Sequence, residues 1–150
     1  MTGDGFARLD IVPVWARFND ELVRLVDYVP DDKMNWSPKP ELWNFGQVLG
    51  HIAEGRDIWL GRNVRDGVSA PRVEMWTKDV AKDAYRRDLG ALVPFLSDAA
   101  RLDAVYETRR EPRTGHWIAY HLLEHDIHHR ADVLHYLALL GIATPDVGTP

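Results

Sequence analysis

The sequence predicts an all-α protein, a four-helix bundle that forms a single domain over residues 1–150. Four segments place apolar residues at intervals of three and four, which is the period of an amphipathic helix. No segment alternates apolar with polar residues as a half-buried strand does. With 45% apolar residues, a chain of 150 residues can bury one sizeable core, and helices joined by loops do so as a bundle.

The first helix is predicted to follow Asp10, with an apolar stripe from Val14 to Val29, and signals mark both of its ends. Asp10 precedes it as an N-cap. Pro13 falls in the first turn, where proline is tolerated because the N–H that it lacks would have no helical partner. Pro30 ends the helix, and a loop is expected over residues 31–43.

The second helix is predicted to begin at Asn44, whose side chain and that of Gln47, three residues on, match a capping box. His51 lies at the edge of the inward face of this helix, about 60° from Val48. Residues 62–77 contain glycine and proline and are predicted to form a long connection. The inward face holds Val48, Ile52, Gly55 and Trp59.

The third helix is predicted over residues 78–102, after Thr77. Pro94 lies opposite its apolar stripe, so we expect this proline to kink the helix rather than to end it. Residues 103–113 are too polar and irregular to assign. The apolar stripe consists of Ala81, Tyr85, Leu92, Phe95, Ala99 and Leu102.

The fourth helix is predicted over residues 114–140, with Gly141 as a left-handed residue at its end and Pro145 beyond it. Five of the seven histidines of the chain lie in this helix and fall within about 120° of one another around its axis. Apart from Asp132, apolar residues occupy the rest of that face, so we expect the histidines to point into the core. They are His121, His125, His128, His129 and His135.

Charge and cysteine content exclude several classes of function. The 18 Lys and Arg against 23 Asp and Glu give a net charge of −5, and the one basic run, residues 109–113, contains an acid and a proline. We therefore expect no nucleic-acid or membrane partner. No signal-peptide pattern or membrane-length apolar window is present, so a cytoplasmic location is expected. The absence of cysteine excludes disulfides, thiolate metal sites and a cysteine nucleophile.

A cluster of inward-facing histidines has two explanations. They are either core residues, each hydrogen-bonded to a backbone carbonyl or a neighbour, or ligands of a divalent metal. Several imidazoles in one low-dielectric region cannot all be charged, and the neutral ring is a ready metal ligand. Four histidines on successive turns therefore favour a metal site.

Helical spacing limits which histidines can share one ion. Residues four apart lie about 6 Å apart at Cβ, so His121 with His125, or His125 with His129, can converge. His121 and His129 are about 12 Å apart along a regular helix and cannot both be ligands. A further ligand must come from another helix, where His51 is the inward-facing histidine.

Residues 121–125 also match the H-x-x-E-H string of inverzincin metalloproteases, in which two histidines bind zinc and the glutamate is the general base. Five residues are a weak match within a histidine-rich helix. Such a protease needs a distal acidic ligand and a substrate cleft, for which a bundle of 150 residues has little room.

Two segments together resemble the DinB-like (YfiT-like) superfamily. The string E-H-D-I-H-H-R at residues 124–130, followed by Y-L-A-L-L-G at residues 136–141, resembles the last helix of that family. The string W-N-F-G-Q-V-L-G-H-I-A at residues 43–53 is similar to its histidine segment in helix two. With the Trp36-Ser37-Pro38 loop and the helix order, the resemblance covers most of the chain.

The resemblance implies an up-down-down-up bundle, often a homodimer, with a divalent metal held by three histidines. These ligands correspond to His51, His125 and His129, and zinc or nickel is the expected ion. The family commonly continues His-Arg-Gly-Gln, whereas this chain has Ala131 and Asp132 after its His-Arg. Neighbours predicted to orient a ligand, or to serve as alternative ligands, are His121, His128 and Asp132.

Similar proteins include thiol-dependent S-transferases and mycothiol-dependent maleylpyruvate isomerases. The resemblance therefore implies a metal-dependent transferase or isomerase that uses a low-molecular-weight thiol on a small electrophilic substrate. Because the chain has no cysteine, the thiol must arrive as a ligand. The alternatives are a non-catalytic, stress-related metal-binding protein and a metal-dependent hydrolase with Glu124 or Asp132 as its base.

Overall fold

Four long helices dominate the computed structural model, which describes residues 10–147 and confirms the all-α bundle. A short helix and a two-stranded hairpin lie between the third and the last long helix. In chain order the helices are α1 (Ile11–Tyr28), α2 (Phe45–Arg56), α3 (Lys78–Ser97), the short α4 (Ala99–Asp103) and α5 (Gly115–Leu139). The hairpin strands are β1 (Val105–Tyr106) and β2 (Arg113–Thr114), and a single 3₁₀ turn covers Asp31–Lys33.

Side-chain caps begin the long helices, because the first N–H groups of a helix have no partner within it. Asp10 accepts a hydrogen bond from the Val12 N–H, which confirms the predicted cap of α1. Asn44 accepts from the Gln47 N–H while the Gln47 side chain accepts from the Asn44 N–H, so the predicted capping box is also confirmed. Thr77 and Thr114 cap α3 and α5.

The end of α5 follows the Schellman pattern, as the glycine after the helix predicts. Gly141 has φ of 73°, in the left-handed region. Its N–H donates to the Ala138 carbonyl, and the Ile142 N–H donates to the Leu137 carbonyl at 2.9 Å. The last carbonyls of α5 are thereby satisfied.

Helix α2 continues without interruption into a π-helical segment, Asp57–Val64. The predicted start of the connection at residue 62 is therefore wrong, and the chain leaves the helix at Arg65, which adopts φ of 61°. Leu60 is fully buried, and its carbonyl accepts from the N–H groups of Arg65 and Asp66. Burial of this one apolar side chain and the bonds to its carbonyl hold the extra turns in place.

The third helix is shorter than predicted. Instead of kinking at Pro94 and continuing to residue 102, α3 ends at Ser97 and a separate helix begins at Ala99. Asp98 has extended backbone angles, and its carboxylate accepts hydrogen bonds from the N–H groups of Ala100 and Arg101. An aspartate favours an N-cap over a helix interior, so it divides the segment into two helices.

The stretch that the sequence left unassigned forms an antiparallel hairpin. Val105 pairs with Thr114, and Tyr106 pairs with Arg113. Two residues per strand are too few for an alternating pattern to be recognised in the sequence. The hairpin places the loop between its strands beside the start of α5.

The long helices surround the core in the order α1, α3, α2, α5, since α1 packs on α3 and α5 while α2 packs on the same two helices. The predicted up-down-down-up order is confirmed, with α1 and α5 running one way and α2 and α3 the other. Asp27 near the end of α1 pairs with Lys82 near the start of α3, so these two helices are antiparallel. Trp59 after α2 contacts Trp117 near the start of α5, so these two are antiparallel as well. Arg24 of α1 pairs with Asp146 after α5, so α1 and α5 are parallel.

The core contains a few polar residues among the apolar ones. Arg56, Asp126 and Asp88 are almost completely buried, as is Asn19. No helix among residues 10–147 combines the length and the apolar character needed to cross a membrane.

Candidate metal centre

Three histidines from two antiparallel helices meet at one point of the bundle. His51 comes from the middle of α2, and His125 and His129 lie one turn apart on α5. The ring centroids of His51 lie 4.9 Å from His125 and 4.7 Å from His129, and those of His125 and His129 lie 4.7 Å apart. One ring nitrogen from each of the three lies within 4.8 Å of the others. All three side chains are partly buried.

Gly55 permits the close approach of α2 to the His125 ring. A Cβ atom on this glycine would lie 2.6 Å from Cε1 of His125 and 3.0 Å from its Nδ1, closer than real Cβ atoms approach. Any side chain at this position would displace the imidazole. The sequence places Gly55 on the inward face of α2, but its contact with His125 appears only in the packed structure.

Carboxylates face the Nδ1 atoms of all three histidines. Asp126 Oδ1 lies 3.0 Å from Nδ1 of His125, and Asp132 Oδ2 lies 3.0 Å from Nδ1 of His129. Glu54 Oε2 lies 3.7 Å from Nδ1 of His51, within ion-pair range but beyond a hydrogen bond. An ionised carboxylate only accepts hydrogen bonds, so Asp126 and Asp132 favour a proton on Nδ1 of His125 and of His129 and leave a lone pair on each Nε2.

The carboxylate of Asp126 is held by a buried ion pair. Its Oδ2 accepts from Nε of Arg56 at 2.9 Å, and both side chains are fully buried. Arg56 also donates from Nη1 to Oδ1 of Asn19 at 2.9 Å, and its guanidinium lies 5.3 Å from the ring centroid of Tyr85. Both oxygens of Asp126 are therefore used, one by Arg56 in the core and the other by His125 at the site.

Burial lowers the pKa of two of the three imidazoles, those of His51 and His129. Desolvation, followed by the nearby His125 and His129 rings, lowers the pKa of His51 to about 4. Desolvation also lowers the pKa of His129, against the opposing effect of its hydrogen bond to Asp132. These rings are uncharged at neutral pH, and the neutral ring is the form that binds a metal.

The prediction that all five histidines of α5 point inward is wrong for His128 and His135, whose side chains are exposed. The buried stripe of α5 is centred about 110° around the axis from His121, on Ile118, Leu122 and Val133. His125 and His129 lie at the edge of this stripe, which is why they are only partly buried. The helical spacing predicted the positions of the histidines relative to one another correctly, but it did not predict which side of α5 faces the core.

His121 lies outside the three-histidine cluster, between aromatic side chains. Its ring stacks on Trp117 with centroids 4.5 Å apart and lies 4.9 Å from Trp59. It contributes to none of the possible metal-ligand groups among residues 10–147. The H-x-x-E-H interpretation requires His121 and His125 on one ion, so this geometry does not favour it.

A second group of possible ligands shares one residue with the first. His128, His129 and Asp132 each offer a ligand atom within 4.8 Å of the other two. His128 is exposed, and its ring centroid lies 4.9 Å from that of His129. The two groups share His129 and are therefore two candidate sites around one imidazole.

Trp43 covers the cluster from the solvent side. Its ring centroid lies 4.5 Å from that of His51 and 5.9 Å from that of His129, and about half of the residue is exposed. The indole lies directly before the Asn44 cap, so the start of α2 positions it. Access to the histidine nitrogens from this direction depends on the orientation of the Trp43 side chain.

The three imidazole nitrogens suit a divalent metal ion of intermediate softness. A tetrahedral metal ion with bonds of 2.0–2.1 Å holds its ligand nitrogens about 3.3 Å apart. Nitrogens that lie within 4.8 Å of one another therefore need only a small side-chain adjustment. Neutral imidazole nitrogens with ring orientation set by carboxylates suit zinc, nickel and related ions. Three protein ligands leave coordination positions for a small molecule.

Sequence reasoning missed Arg56 and Asp126 as supports of the site. A signal was present, because Asp126 falls on the same side of α5 as Ala119, Leu122 and Leu137, all of which are buried. A carboxylate within an apolar stripe requires a buried partner. The identity of that partner depends on which residue of α2 lies opposite.

Comparisons with known proteins agree with the fold and the helix order. Residues 15–133 match the DinB superfamily. A solved DinB-like protein from Bacillus cereus ATCC 10987 is 19% identical and superimposes with a TM-score of 0.75, covering 91% of this chain and 95% of that one. A second, from Bacillus subtilis, is 16% identical with a TM-score of 0.73, covering 93% of this chain and 99% of that one. No curated protein sequence matches significantly. The family match spans well over half of the residues, and the chain therefore belongs to the DinB superfamily.

Proposed function

We propose that this protein binds one divalent metal ion, zinc or nickel, through the Nε2 atoms of His51, His125 and His129. One observation carries the proposal: three imidazoles from two helices each offer a ring nitrogen within 4.8 Å of the others, with carboxylates facing their Nδ1 atoms. Core histidines without a ligand would need hydrogen-bond partners for both nitrogens. Carboxylates hydrogen-bonded to the second ring nitrogen are the usual supports of metal-binding histidines.

We propose further that the bound ion serves catalysis with a low-molecular-weight thiol. A divalent ion with open positions lowers the pKa of a thiol and polarises an electrophile. The chain contributes the three imidazoles, the carboxylates that orient them, and Trp43 as a partial cover against water. The sulfur must come from outside, because the sequence contains no cysteine.

The proposed reaction is a transfer of the thiol to a small electrophile. The thiol R–SH loses its proton to solvent, its sulfur forms a bond to the electrophilic carbon, and the leaving group departs with the electron pair of the broken bond. With an aryl chloride the products are the aryl thioether, chloride and a proton. No oxidant or reductant is needed, which is compatible with ligands that have no redox chemistry of their own.

The test combines metal analysis with turnover. Protein purified without added metal is analysed for zinc and nickel, stripped with a chelator and reloaded. We expect about one ion per chain, and we expect turnover of 1-chloro-2,4-dinitrobenzene with added thiol to disappear on stripping and return on reloading. Turnover with water alone would show that the protein is a hydrolase and not a transferase. Full metal binding without any turnover would support only the metal-binding function. Protein that does not bind either ion contradicts the whole proposal.

Gly55→Ala is expected to weaken zinc binding. The new methyl group would overlap the His125 ring, so the ring must turn away from its carboxylate. Loss of a support of this kind costs about 10–100-fold in metal affinity. Alanine is the better helix former, so the free energy of unfolding should not fall through helix propensity. Competition with a chromogenic chelator measures the affinity.

Gly90→Ala is the matched control for this substitution. Gly90 also lies inside a helix, α3, but a Cβ atom there would meet nothing within 4 Å. We expect this variant to keep the zinc affinity of the parent protein. Equal affinities for Gly55→Ala and Gly90→Ala would show that the approach of α2 to His125 does not matter for the ion.

A further inference from the structure

A basic cavity lies next to the histidine cluster, between the π-helical segment Asp57–Val64 and the start of α5. Its volume is about 660 Å³, within the range of small-molecule sites. The loop between β1 and β2 forms one wall. None of its lining residues belongs to the three proposed metal ligands.

Arginines provide the charge of this cavity. Arg62, Arg109, Arg110 and Arg113 all line it, and no aspartate or glutamate does so among the described residues. Arg62 pairs with Asp57 behind the wall at 2.7 Å, and Arg113 pairs with Glu111. Arg109 and Arg110 form no ion pair with any residue in the range 10–147 and are exposed. This concentration of positive charge contrasts with the net charge of −5 of the whole chain.

Aromatic and aliphatic side chains complete the lining. The rings of Trp59 and Trp117 lie 5.1 Å apart at a steep angle, and Ile58 is 41% exposed beside them. The Arg113 guanidinium lies 4.2 Å from the ring centroid of Trp117, which fixes its position by a cation–π contact. A wall of this composition favours a hydrocarbon body next to an anionic group.

The cavity adjoins the proposed metal ligands through two helices. His121 lines the cavity and lies one turn before His125 on α5. Trp59 lies about one turn after Gly55, the residue that contacts the His125 ring. The cavity wall at His121 is therefore one helical turn, about 5.4 Å along the axis of α5, from His125.

We propose that this cavity binds a small organic anion, a carboxylate or phosphate attached to an apolar body. The arginines from the β1–β2 loop hold the anionic group by charge-assisted hydrogen bonds, and the tryptophans contact the apolar part. The claim that this anion is a substrate rests on the reaction proposed above. The claim that the cavity binds it does not. Binding by metal-free protein separates the two.

The test is calorimetric titration of metal-free protein with 2-naphthoate, 2-naphthyl phosphate and the neutral 2-naphthamide. We expect both anions to bind, the amide to bind at least about tenfold more weakly, and anion binding to weaken as salt is added. The two anions distinguish a carboxylate preference from a phosphate preference. Equal affinity for amide and anions would overturn the proposal, whatever the metal-loaded protein does in the transferase assay.

The variant that tests the arginines is the double substitution Arg109→Gln and Arg110→Gln. Both side chains are exposed, so the fold is retained and the melting temperature should not change. We expect the affinity for 2-naphthoate to fall by about tenfold or more and its salt dependence to decrease. Arg86→Gln is the control, since Arg86 lies on α3 with Asp83 as its ion-pair partner and does not line the cavity. An unchanged affinity in the double variant would contradict the proposed role of the loop.

Discussion

His125→Ala is expected to abolish tight zinc binding. His125 is one of three proposed ligands, and its ring is held on both sides, by Gly55 of α2 and by the Asp126 carboxylate. Removing a ligand costs more than the roughly 10–100-fold that removal of an outer hydrogen-bond partner costs. Chelator competition measures the loss, and zinc should no longer raise the melting temperature of the variant.

Two control substitutions make this result specific. His116→Ala removes an exposed histidine of the same helix that contacts Asp103, outside the cluster, and should leave zinc affinity unchanged. His128→Ala distinguishes the two possible ligand groups, because His128 belongs only to the group with His129 and Asp132. Loss of zinc binding in His128→Ala with retention in His125→Ala would move the site to that second group.

Asp126→Asn is expected to destabilise the metal-free protein strongly. It removes the carboxylate that contacts the fully buried Arg56 guanidinium, and breaking a buried pair in this way costs about 3–5 kcal/mol. Urea denaturation followed by circular dichroism gives the free energy of unfolding. Asp83→Asn is the control: its pair with Arg86 on the surface of α3 is worth at most about 1 kcal/mol.

A double substitution separates stability from metal binding. Arg56→Met with Asp126→Leu replaces the ion pair by apolar side chains of similar size, which often restores the stability of a buried site. The variant is expected to fold but to bind zinc about 10–100-fold more weakly, because Nδ1 of His125 has lost its acceptor. Zinc affinity equal to that of the parent would show that the Arg56–Asp126 pair serves the core alone.

Local signals in the sequence were sufficient for the helix starts. The capping hydrogen bonds of Asp10, Asn44 and Gln47 join residues no more than three apart, and they are the ones that the sequence predicted. The glycine after α5 is likewise a local requirement, since its φ of 73° is a conformation that side chains disfavour. Such features need no knowledge of the rest of the chain.

Predictions that depended on neighbouring elements were less accurate. Pro94 weakens the end of α3, and Asp98 caps α4. Because of this cap, α3 ends earlier than its apolar stripe indicated. The inward face of α5 was estimated from the histidines themselves, whereas its true centre depends on the apolar side chains that pack against α1, α2 and α3. His128 and His135 are exposed for this reason.

The sequence by itself determined that this protein is a helical bundle with histidines at two places, because periodicity, caps and spacing are properties of contiguous residues. It also identified His51, His125 and His129 through a family resemblance that the match over residues 15–133 supports at the level of the family. Only the tertiary structure decided that Gly55 touches His125, that Arg56 is the partner of Asp126, and that four arginines share a cavity. Each of these joins residues far apart in the chain, and the distance between such residues is set by how the helices pack.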